Sequence, residues 1–294
     1  MNTNPHVRRA FPALASPVFR KFFLLTSLAM MADGIEHVIS YWIIFQKFHS
    51  PTLGGVAILT HWLPFLLFAV QSGAWADRYD RRRVIQIAQG LFALASLGWA
   101  TLFLTDSLQE WHAVVLLSIH GVAGVMWGPA SQLIIHEMVG RDLLPSAVRL
   151  VSTARQLGLL CAPAIGGALL YALGPAWGLF VNVLFYLPAI VWLGLIREGA
   201  GPNPAAARRG RGPADIPATI REVAGNRVIV TMLAAAGAAS FFVGNAHQAQ
   251  MPGFAADLGA ALDDGHGHGQ SMSYSMLLLA EAAGALAAGL VLEW

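Results

Sequence analysis

Two long apolar segments joined by a highly charged turn constrain the fold of this chain most. Leu53–Ala76 and Val84–Leu104 contain no charged residue, and the stretch GAWADRYDRRR, from Gly73 to Arg83, lies at their junction. A helix rises about 1.5 Å per residue, so each segment is long enough to cross the roughly 30 Å hydrocarbon layer of a membrane. The pattern predicts two spanning helices joined by a tight turn at the membrane surface.

The composition of the whole chain is typical of an integral membrane protein. Hydrophobic residues make up 56% of the chain and charged residues 12%, whereas soluble domains carry about twice that charged fraction. A sequence pI near 8.9 would also suit nucleic acid, but the arginines are better explained as topology signals at membrane surfaces. We therefore expect membrane lipid, and not nucleic acid, as a partner.

Six further apolar runs predict an all-α, polytopic bundle with eight spans in total. The first run is too long for the core of a cleavable signal peptide and should remain as an anchor. We assign residues 1–18 to a cytoplasmic tail, 19–197 to a six-helix N-terminal half, 198–227 to a cytoplasmic linker rich in Pro, Gly, Ala and Arg, and 228–294 to two helices of a C-terminal half. The six runs are Phe19–Phe45, Ala113–Ile135, Leu150–Leu170, Gly178–Ile196, Val228–Gln248 and Met272–Leu292.

The basic residues predict the orientation in the membrane. Of the 18 Lys and Arg, 16 fall in the tail and span entry, the charged turn, the connection before the fifth span, and the linker. The exceptions are Lys47, on the opposite side, and Arg155, within a span. Because positively charged loops stay in the cytoplasm, we expect a cytoplasmic N-terminus in the inner (plasma) membrane of a bacterium.

The charged turn resembles a motif of the major facilitator superfamily, G-x-x-x-D-R-x-G-R-[RK], which lies between the second and third helices of that family. An aspartate replaces the usual glycine, as it often does in the branch of enterobactin exporters and macrolide-efflux proteins. The resemblance implies a conformational switch. A plain basic anchor would explain the arginines but not the spacing of the first glycine and aspartate. The matching residues are Gly73, Asp77, Arg78, Asp80, Arg81, Arg82 and Arg83.

Two positions of this motif have distinct expected roles. Gly73, without a side chain, would permit close helix packing. Asp77, at a helix end, would accept hydrogen bonds from free backbone N–H groups or pair with a nearby arginine. The resemblance further implies that Asp77 latches the two halves of a transporter in the outward-facing state.

The fifth span resembles a second motif of the family's exporters, G-x-x-x-G-P-x-x-G-G, with Ala162 in place of the glycine before proline. Small residues allow close helix packing, and proline bends a helix. An ordinary seam of small residues would explain the glycines equally well. The residues that carry this helix-packing motif are Gly158, Pro163, Gly166 and Gly167.

Polar residues inside the spans are candidates for substrate binding and coupling. Asp33 and Glu36 are three residues apart and share one helix face, and buried charges in membranes usually face a functional cavity. They could instead lie near the outer interface or pair internally for packing. Arg155 could pair with them, bind an anionic substrate, or extend to the membrane surface. Gln132 is a further candidate, and His120 a weaker one, because single histidines are more often packing residues.

The resemblance implies two six-helix halves around a midplane site, and therefore a secondary active transporter that works by alternating access. We predict a proton-coupled exporter of small amphipathic molecules, such as drugs or siderophore-like compounds. Protonation of Asp33 or Glu36 would supply the coupling. We expect a small-molecule substrate and protons as partners, and no cofactor. A metal site is not expected, because the glycines of DDGHGHG, Asp263 to Gly269, favour a flexible loop.

The chain is short for such a transporter. Twelve spans with their loops need about 400 residues, and this chain has 294, so we expect it to be truncated after the eighth helix. The alternative is a truncated, non-transporting membrane protein that acts as an assembly or regulatory partner. An intramembrane enzyme is disfavoured, because the sequence offers no recognisable nucleophile–base pair, metal cluster or phosphate-binding loop.

Overall fold

The computed structural model describes residues 11–196, 216–242, 246–259 and 268–292. Within these ranges the chain is helical and contains no strand, so the predicted all-α bundle is confirmed. A 3₁₀ turn, Pro12–Ala15, precedes eight α-helices. They are α1 (Pro17–Phe48), α2 (Pro51–Arg78), α3 (Arg81–Leu104), α4 (Glu110–Leu195), α5 (Ile216–Ala224), α6 (Arg227–Phe242), α7 (Ala246–Gly259) and α8 (His268–Leu292).

The first helices begin at local capping signals. Ser16 and Ser50 each accept a hydrogen bond from the backbone N–H three residues later, and a proline follows each of them at the first helical position. A serine cap satisfies one free N–H group, and proline has no N–H group to satisfy there. The predicted outer loop, Gln46–Thr52, therefore shrinks to the two residues between α1 and α2.

The long helix α4 contains three of the predicted spans. Gly140 and Gly174 interrupt its helical backbone with φ values of 71° and 76°, a region that glycine adopts without steric cost. We refer to residues 110–139, 141–173 and 175–195 as its first, second and third segments. Helices α1, α2, α3 and α4 are long and apolar enough to cross a membrane, so residues 11–196 supply six helical segments at the six predicted positions.

The second half differs from the prediction in detail. The predicted span Val228–Gln248 includes α6, which ends at Phe242, and the first residues of α7, which runs from Ala246 to Gly259; residues 243–245 lie outside the described residues. Helix α7 extends into the predicted loop because it has a packing surface there: Ala255 is fully buried, and Met251 packs against the same core as α1 and α8. Residues 1–10, 197–215 and 260–267, which include most of the predicted tail, linker and DDGHGHG loop, lie outside the described residues.

Helix α1 lies at the centre of the described bundle. Ile35, Ile39 and Ile43 are fully buried and belong to one core with Trp99 of α3 and Leu179 of the third segment of α4. A helix that is buried all round is expected to be apolar all round. A polar side chain on a buried face of α1 therefore calls for a structural or functional explanation.

The glycine motif of the fifth span lies against α1 and α8. A Cβ atom added at Gly158 would lie 3.7 Å from Met30 of α1, and one added at Gly166 would lie 3.2 Å from Val38. One added at Gly167 would overlap the side chain of Ser275 in α8. Near this contact, the hydroxyl of Tyr274 donates a hydrogen bond to the carbonyl of Val38, 3.1 Å away. The motif therefore lets α8 approach the N-terminal bundle closely.

We expect Gly167→Ala to destabilise the protein by about 1–3 kcal/mol, the usual cost of overfilling a packed contact. Gly158→Ala is the matched control, because its new methyl group would make only ordinary van der Waals contact. In a helix interior, replacing glycine by alanine is otherwise stabilising by roughly 0.5–1 kcal/mol. Thermal unfolding of the two purified variants in detergent measures the difference, and equal stability would contradict this account of the α4–α8 contact.

Candidate functional site

A charged cluster of three side chains lies inside the helical bundle. Asp33 and Glu36 come from α1, and His120 comes from the first segment of α4. The Nε2 atom of His120 is 2.7 Å from Oδ1 of Asp33, and its Nδ1 atom is 2.7 Å from Oε1 of Glu36. His120 therefore bridges the two carboxyl groups that the sequence singled out.

Counting hydrogen-bond donors gives the charge of this cluster. An ionised carboxylate can only accept a hydrogen bond, so each of the two bonds needs a proton on His120 or on a carboxyl group. The cluster therefore holds at least two protons, either both on the imidazole or one on the imidazole and one on a carboxyl group. With two protons the net charge is −1 in either case.

The two carboxyl groups differ in their surroundings. Glu36 is 1% exposed, and its second oxygen accepts a hydrogen bond from the hydroxyl of Ser96 in α3. The amide of Asn182 donates to Ser96 at 3.2 Å and to the carbonyl of Ala32 at 3.0 Å. The side chain of Asp33, by contrast, is 41% exposed. Glu36 is therefore held in place, and the Asp33 side of the cluster is the open side.

Two further histidines complete a three-histidine group, His37, His61 and His120. Their ring centroids lie 4.7, 4.8 and 5.1 Å apart in pairs. The Nδ1 atom of His37 is 2.8 Å from the carbonyl oxygen of Asp33, and Nδ1 of His61 is buried with no hydrogen-bond partner in the described part of the chain. One ring nitrogen from each histidine lies within 4.8 Å of the other two. Among the described residues, these are the side chains that could hold a metal ion.

Close contact between α2 and α4 brings His61 to His120. Gly121, the neighbour of His120, lies so close to α2 that an added Cβ atom would overlap the carbonyl oxygen of His61 and lie 2.9 Å from Pro64. An added Cβ atom at Gly124, one turn further on, would lie 2.7 Å from the ring of Phe65. Two glycines on one face of α4 thus set the distance between the histidines.

The other predicted candidates lie elsewhere. Arg155 and Gln132 are both exposed, and within the described residues neither has a hydrogen bond or ion pair with Asp33 or Glu36. The hydrogen-bond partner of both carboxyl groups is His120 instead. Sequence reasoning missed four residues of the site, although a signal existed because each is polar and lies within an otherwise apolar run. They are His37, His61, Ser96 and Asn182.

The charged turn forms a second polar site at the end of α2. Asp80 caps α3 by accepting a hydrogen bond from the backbone N–H of Arg82 at 2.9 Å, and its other oxygen lies 2.7 Å from the Arg82 guanidinium. Partial burial alone would raise the pKa of Asp80, but these hydrogen bonds and the charge of Arg82 hold the pKa below its ordinary value. Arg82 also donates to the carbonyl of Ile196 at the end of α4.

Neighbouring arginines of the turn make their own contacts. Arg81 is buried, donates to the carbonyl of Ala76 at 3.1 Å, and forms an ion pair with Glu137 of α4. Arg83 donates to Gln86 at 3.0 Å and stays exposed, as does Arg78. The turn is thus bound to α4 at two points, Glu137 near the end of the first segment and Ile196 just after the third segment.

Gly73 and Asp77, in the first half of the motif, do not make the contacts expected of them. Asp80, and not Asp77, caps a helix and pairs with an arginine. Within the described part of the chain, Asp77 has no hydrogen bond or ion pair. A Cβ atom at Gly73 would meet no atom within 4 Å, so close packing there does not explain the glycine in this structure.

Comparison with known families shows to which family the chain belongs. A family model described as "Transmembrane secretion effector" matches residues 8–293, which is nearly the whole chain. The chain belongs to this family, within the major facilitator superfamily. The membership confirms the resemblance drawn from the charged turn, and together with the long apolar helices it makes the chain an integral membrane protein.

Several curated members of the superfamily are similar to this chain. The enterobactin exporter EntS of Shigella boydii serotype 4 is 29% identical over 186 residues, which cover 59% of this chain and 44% of EntS. The multidrug efflux pump Tap of Mycolicibacterium fortuitum is 27% identical over 176 residues, 58% of this chain and 43% of Tap. The chain thus spans less than half the length of these relatives.

A solved structure supports the fold. A bacterial homologue of the human lysosomal transporter Spinster, in an inward-facing and unoccupied conformation, matches with a TM-score of 0.55 and 17% identity. The match covers 86% of this chain and 63% of that structure. At this identity the likeness shows the shared helical architecture and carries no information on substrate.

Proposed function

We propose that this chain is part of a secondary active exporter that moves small amphipathic molecules by alternating access, with protons as the coupling ion. Family membership supports transport, and the names of EntS and Tap support export as its direction. The observation that carries the coupling proposal is the His120 bridge between Asp33 and Glu36. Charged groups so deep in a membrane bundle are costly and are usually retained for function.

The asymmetry of the charged cluster suggests how coupling works. His120 joins α1 to the first segment of α4 through Asp33 on the open side and through Glu36 on the buried side. A proton that reaches Asp33 removes its charge and weakens one of the two bonds that hold these helices together. Since a ligand shifts a conformational equilibrium only through its different affinity for the two states, losing this bond would favour a conformation in which α1 and α4 are less tightly joined.

The relatives and the membrane setting support the proposed substrate class. An enterobactin exporter and a multidrug efflux pump are among the similar proteins. Cavities between membrane helices bind their ligands largely through apolar and aromatic side chains with a few polar groups. We therefore expect small molecules with both polar and apolar surfaces. The bacterial relatives and the distribution of basic residues favour a location in the bacterial inner membrane, with the N-terminus and the charged turn in the cytoplasm.

Proton-driven flux in liposomes tests this function. The purified protein should release or take up a fluorescent amphipathic dye when a pH gradient is imposed, and a protonophore should stop the movement. Asp33→Asn and Glu36→Gln should each lower the gradient-driven flux at least about 10-fold, because a proton-transferring side chain commonly contributes about 10²–10⁴-fold. Glu110→Gln, at an exposed acidic residue of α4, is the matched control and should retain the flux.

Two results would overturn parts of this proposal. Unchanged gradient-driven flux in both Asp33→Asn and Glu36→Gln would remove the assigned coupling role and leave transport standing. Absence of flux from the correctly folded 294-residue chain, with every dye and in both directions, would favour the non-transporting partner for this form.

A further inference from the structure

We propose that His37, His61 and His120, together with the carboxyl group of Asp33, form a binding site for a divalent transition-metal ion such as Zn²⁺. The proposal goes beyond transport, because it concerns equilibrium binding and does not need flux or a proton gradient. It also differs from the sequence-based expectation of no metal site, which considered the DDGHGHG loop and not these histidines.

The ring nitrogens of the three histidines are close enough to bind one metal ion after a small movement of the side chains. One nitrogen from each ring lies within 4.8 Å of the other two. A tetrahedral Zn²⁺ ion with Zn–N bonds of about 2.0–2.1 Å would hold its nitrogen ligands about 3.4 Å apart. The rings therefore need to close by no more than about 1.5 Å, which side-chain rotation can supply. The carboxyl oxygen of Asp33 lies 2.7 Å from Nε2 of His120 and would have to move to about 3.4 Å from that nitrogen to become the fourth ligand.

In His37 and His120, the ring nitrogen that would face away from the metal ion makes a hydrogen-bonding contact of the kind found in known metal sites. A metal-binding histidine usually donates its second N–H to a carboxylate or a backbone carbonyl, which orients the ring and selects its tautomer. Nδ1 of His37 lies 2.8 Å from the carbonyl of Asp33, which leaves Nε2 free. Nδ1 of His120 lies 2.7 Å from Glu36, which leaves Nε2 facing Asp33. Glu36 would thus be an outer-shell residue, supported by Ser96.

The burial of His61 is an independent observation in favour of the site. His61 is 7% exposed, and among the described residues its Nδ1 atom has no hydrogen-bond partner. Buried side-chain nitrogens are rarely left unpaired, because the lost hydrogen bond costs about 1–3 kcal/mol. A metal ion bound through Nδ1 of His61 would satisfy this nitrogen.

The charge balance also favours a divalent ion. With two protons the charged cluster has a net charge of −1, as derived above. A doubly charged ion, with both carboxyl groups ionised and three neutral histidines, gives a net charge of zero. Removing net charge from a buried site lowers the cost of burial. A ligand set of three imidazoles and one carboxylate suits Zn²⁺ or Co²⁺ better than Mg²⁺ or Ca²⁺.

Titration with Co²⁺ tests the site directly. The purified chain, prepared with a tag that contains no histidine and freed of metal by a chelator, should bind one Co²⁺ and develop the visible absorption bands of a four-coordinate ion. Zn²⁺ should abolish these bands by competition. His37→Gln and His61→Gln should each weaken Co²⁺ binding at least about 10-fold, since even outer-shell changes commonly cost 10–100-fold.

Control variants separate this site from other histidines. His136→Gln, at an exposed histidine of α4, and the loop variant, defined as His266→Ser with His268→Ser in the sequence DDGHGHG, should bind Co²⁺ like the parent. Thermal unfolding without metal shows whether each variant is folded. Parent-like binding in folded His61→Gln, or binding lost only in the loop variant, would overturn the proposal, as would absence of one-to-one binding in the parent. Failure of dye transport would leave these binding results unchanged, so the two proposals can fail separately.

Discussion

Replacing His120 by leucine is expected to lower the free energy of unfolding by about 3–5 kcal/mol, the usual cost of removing one partner of a buried ion pair. Glu36 is almost fully buried, and Ser96 would be its one remaining hydrogen-bond donor among the contacts described above. A carboxylate left in this state must remain charged without its cation or take up a proton. Denaturant or thermal unfolding of the purified protein measures the loss, and proton-driven flux should be lost with it.

A second variant distinguishes loss of the ion pair from loss of packing. If the uncompensated charge is the cause, adding Glu36→Gln to His120→Leu should recover about 1–3 kcal/mol, a coupling energy typical of residues in contact. His136→Leu makes the same substitution at an exposed position of α4 and should change stability little. Equal losses in His120→Leu and His136→Leu would contradict the structural importance of the bridge.

Gly121→Ala should both destabilise the protein and separate the histidines. The added methyl group would overlap the backbone carbonyl oxygen of His61, which cannot rotate away as a side chain can. Overfilling of a packed core costs about 1–3 kcal/mol, and we expect the upper end of that range because backbone must move. Since α2 would shift away from α4, Co²⁺ binding at the three-histidine group should weaken by at least about 10-fold.

Gly128→Ala is the control for this prediction. Gly128 lies two turns further along the same helix, and an added Cβ atom there would meet no atom within 4 Å. Alanine in place of glycine should be neutral or stabilising by about 0.5–1 kcal/mol. If Gly121→Ala unfolds at the same temperature as Gly128→Ala and binds Co²⁺ equally well, the close contact between α2 and α4 is not as important as the structure indicates.

The bundle could be predicted from sequence because the cost of exposing backbone polar groups to lipid leaves few solutions. An uncharged apolar run of sufficient length has to be a helix, and this rule located the six N-terminal helical segments. It did not locate Gly140 and Gly174 as the breaks of α4. A glycine within an apolar run can continue a helix or interrupt it. The packed structure, and not the local sequence, selects a positive φ at these two glycines.

The candidate site was predictable in part for the same reason. Asp33 and Glu36 stood out because charge is expensive inside a membrane, but their partner is more than 80 residues away. Charge alone made Arg155 a reasonable partner. Which side chain approaches a carboxyl group is decided by helix packing, here by the contact between α1 and the first segment of α4. A single sequence does not encode that distance in any local pattern.

Asn182 connects three elements that are far apart in the chain. Its amide is bonded to the backbone of α1 and to the serine of α3, and it sits on the third segment of α4. These three helices are therefore tied at one depth by polar bonds in a dry interior, where such bonds are hard to exchange for water. In the proposed transport cycle these three elements should move as a single rigid body. Rocking that opens Asp33 first to one side and then to the other would consist of sliding at the contacts of this body with α2, α8 and the first segment of α4.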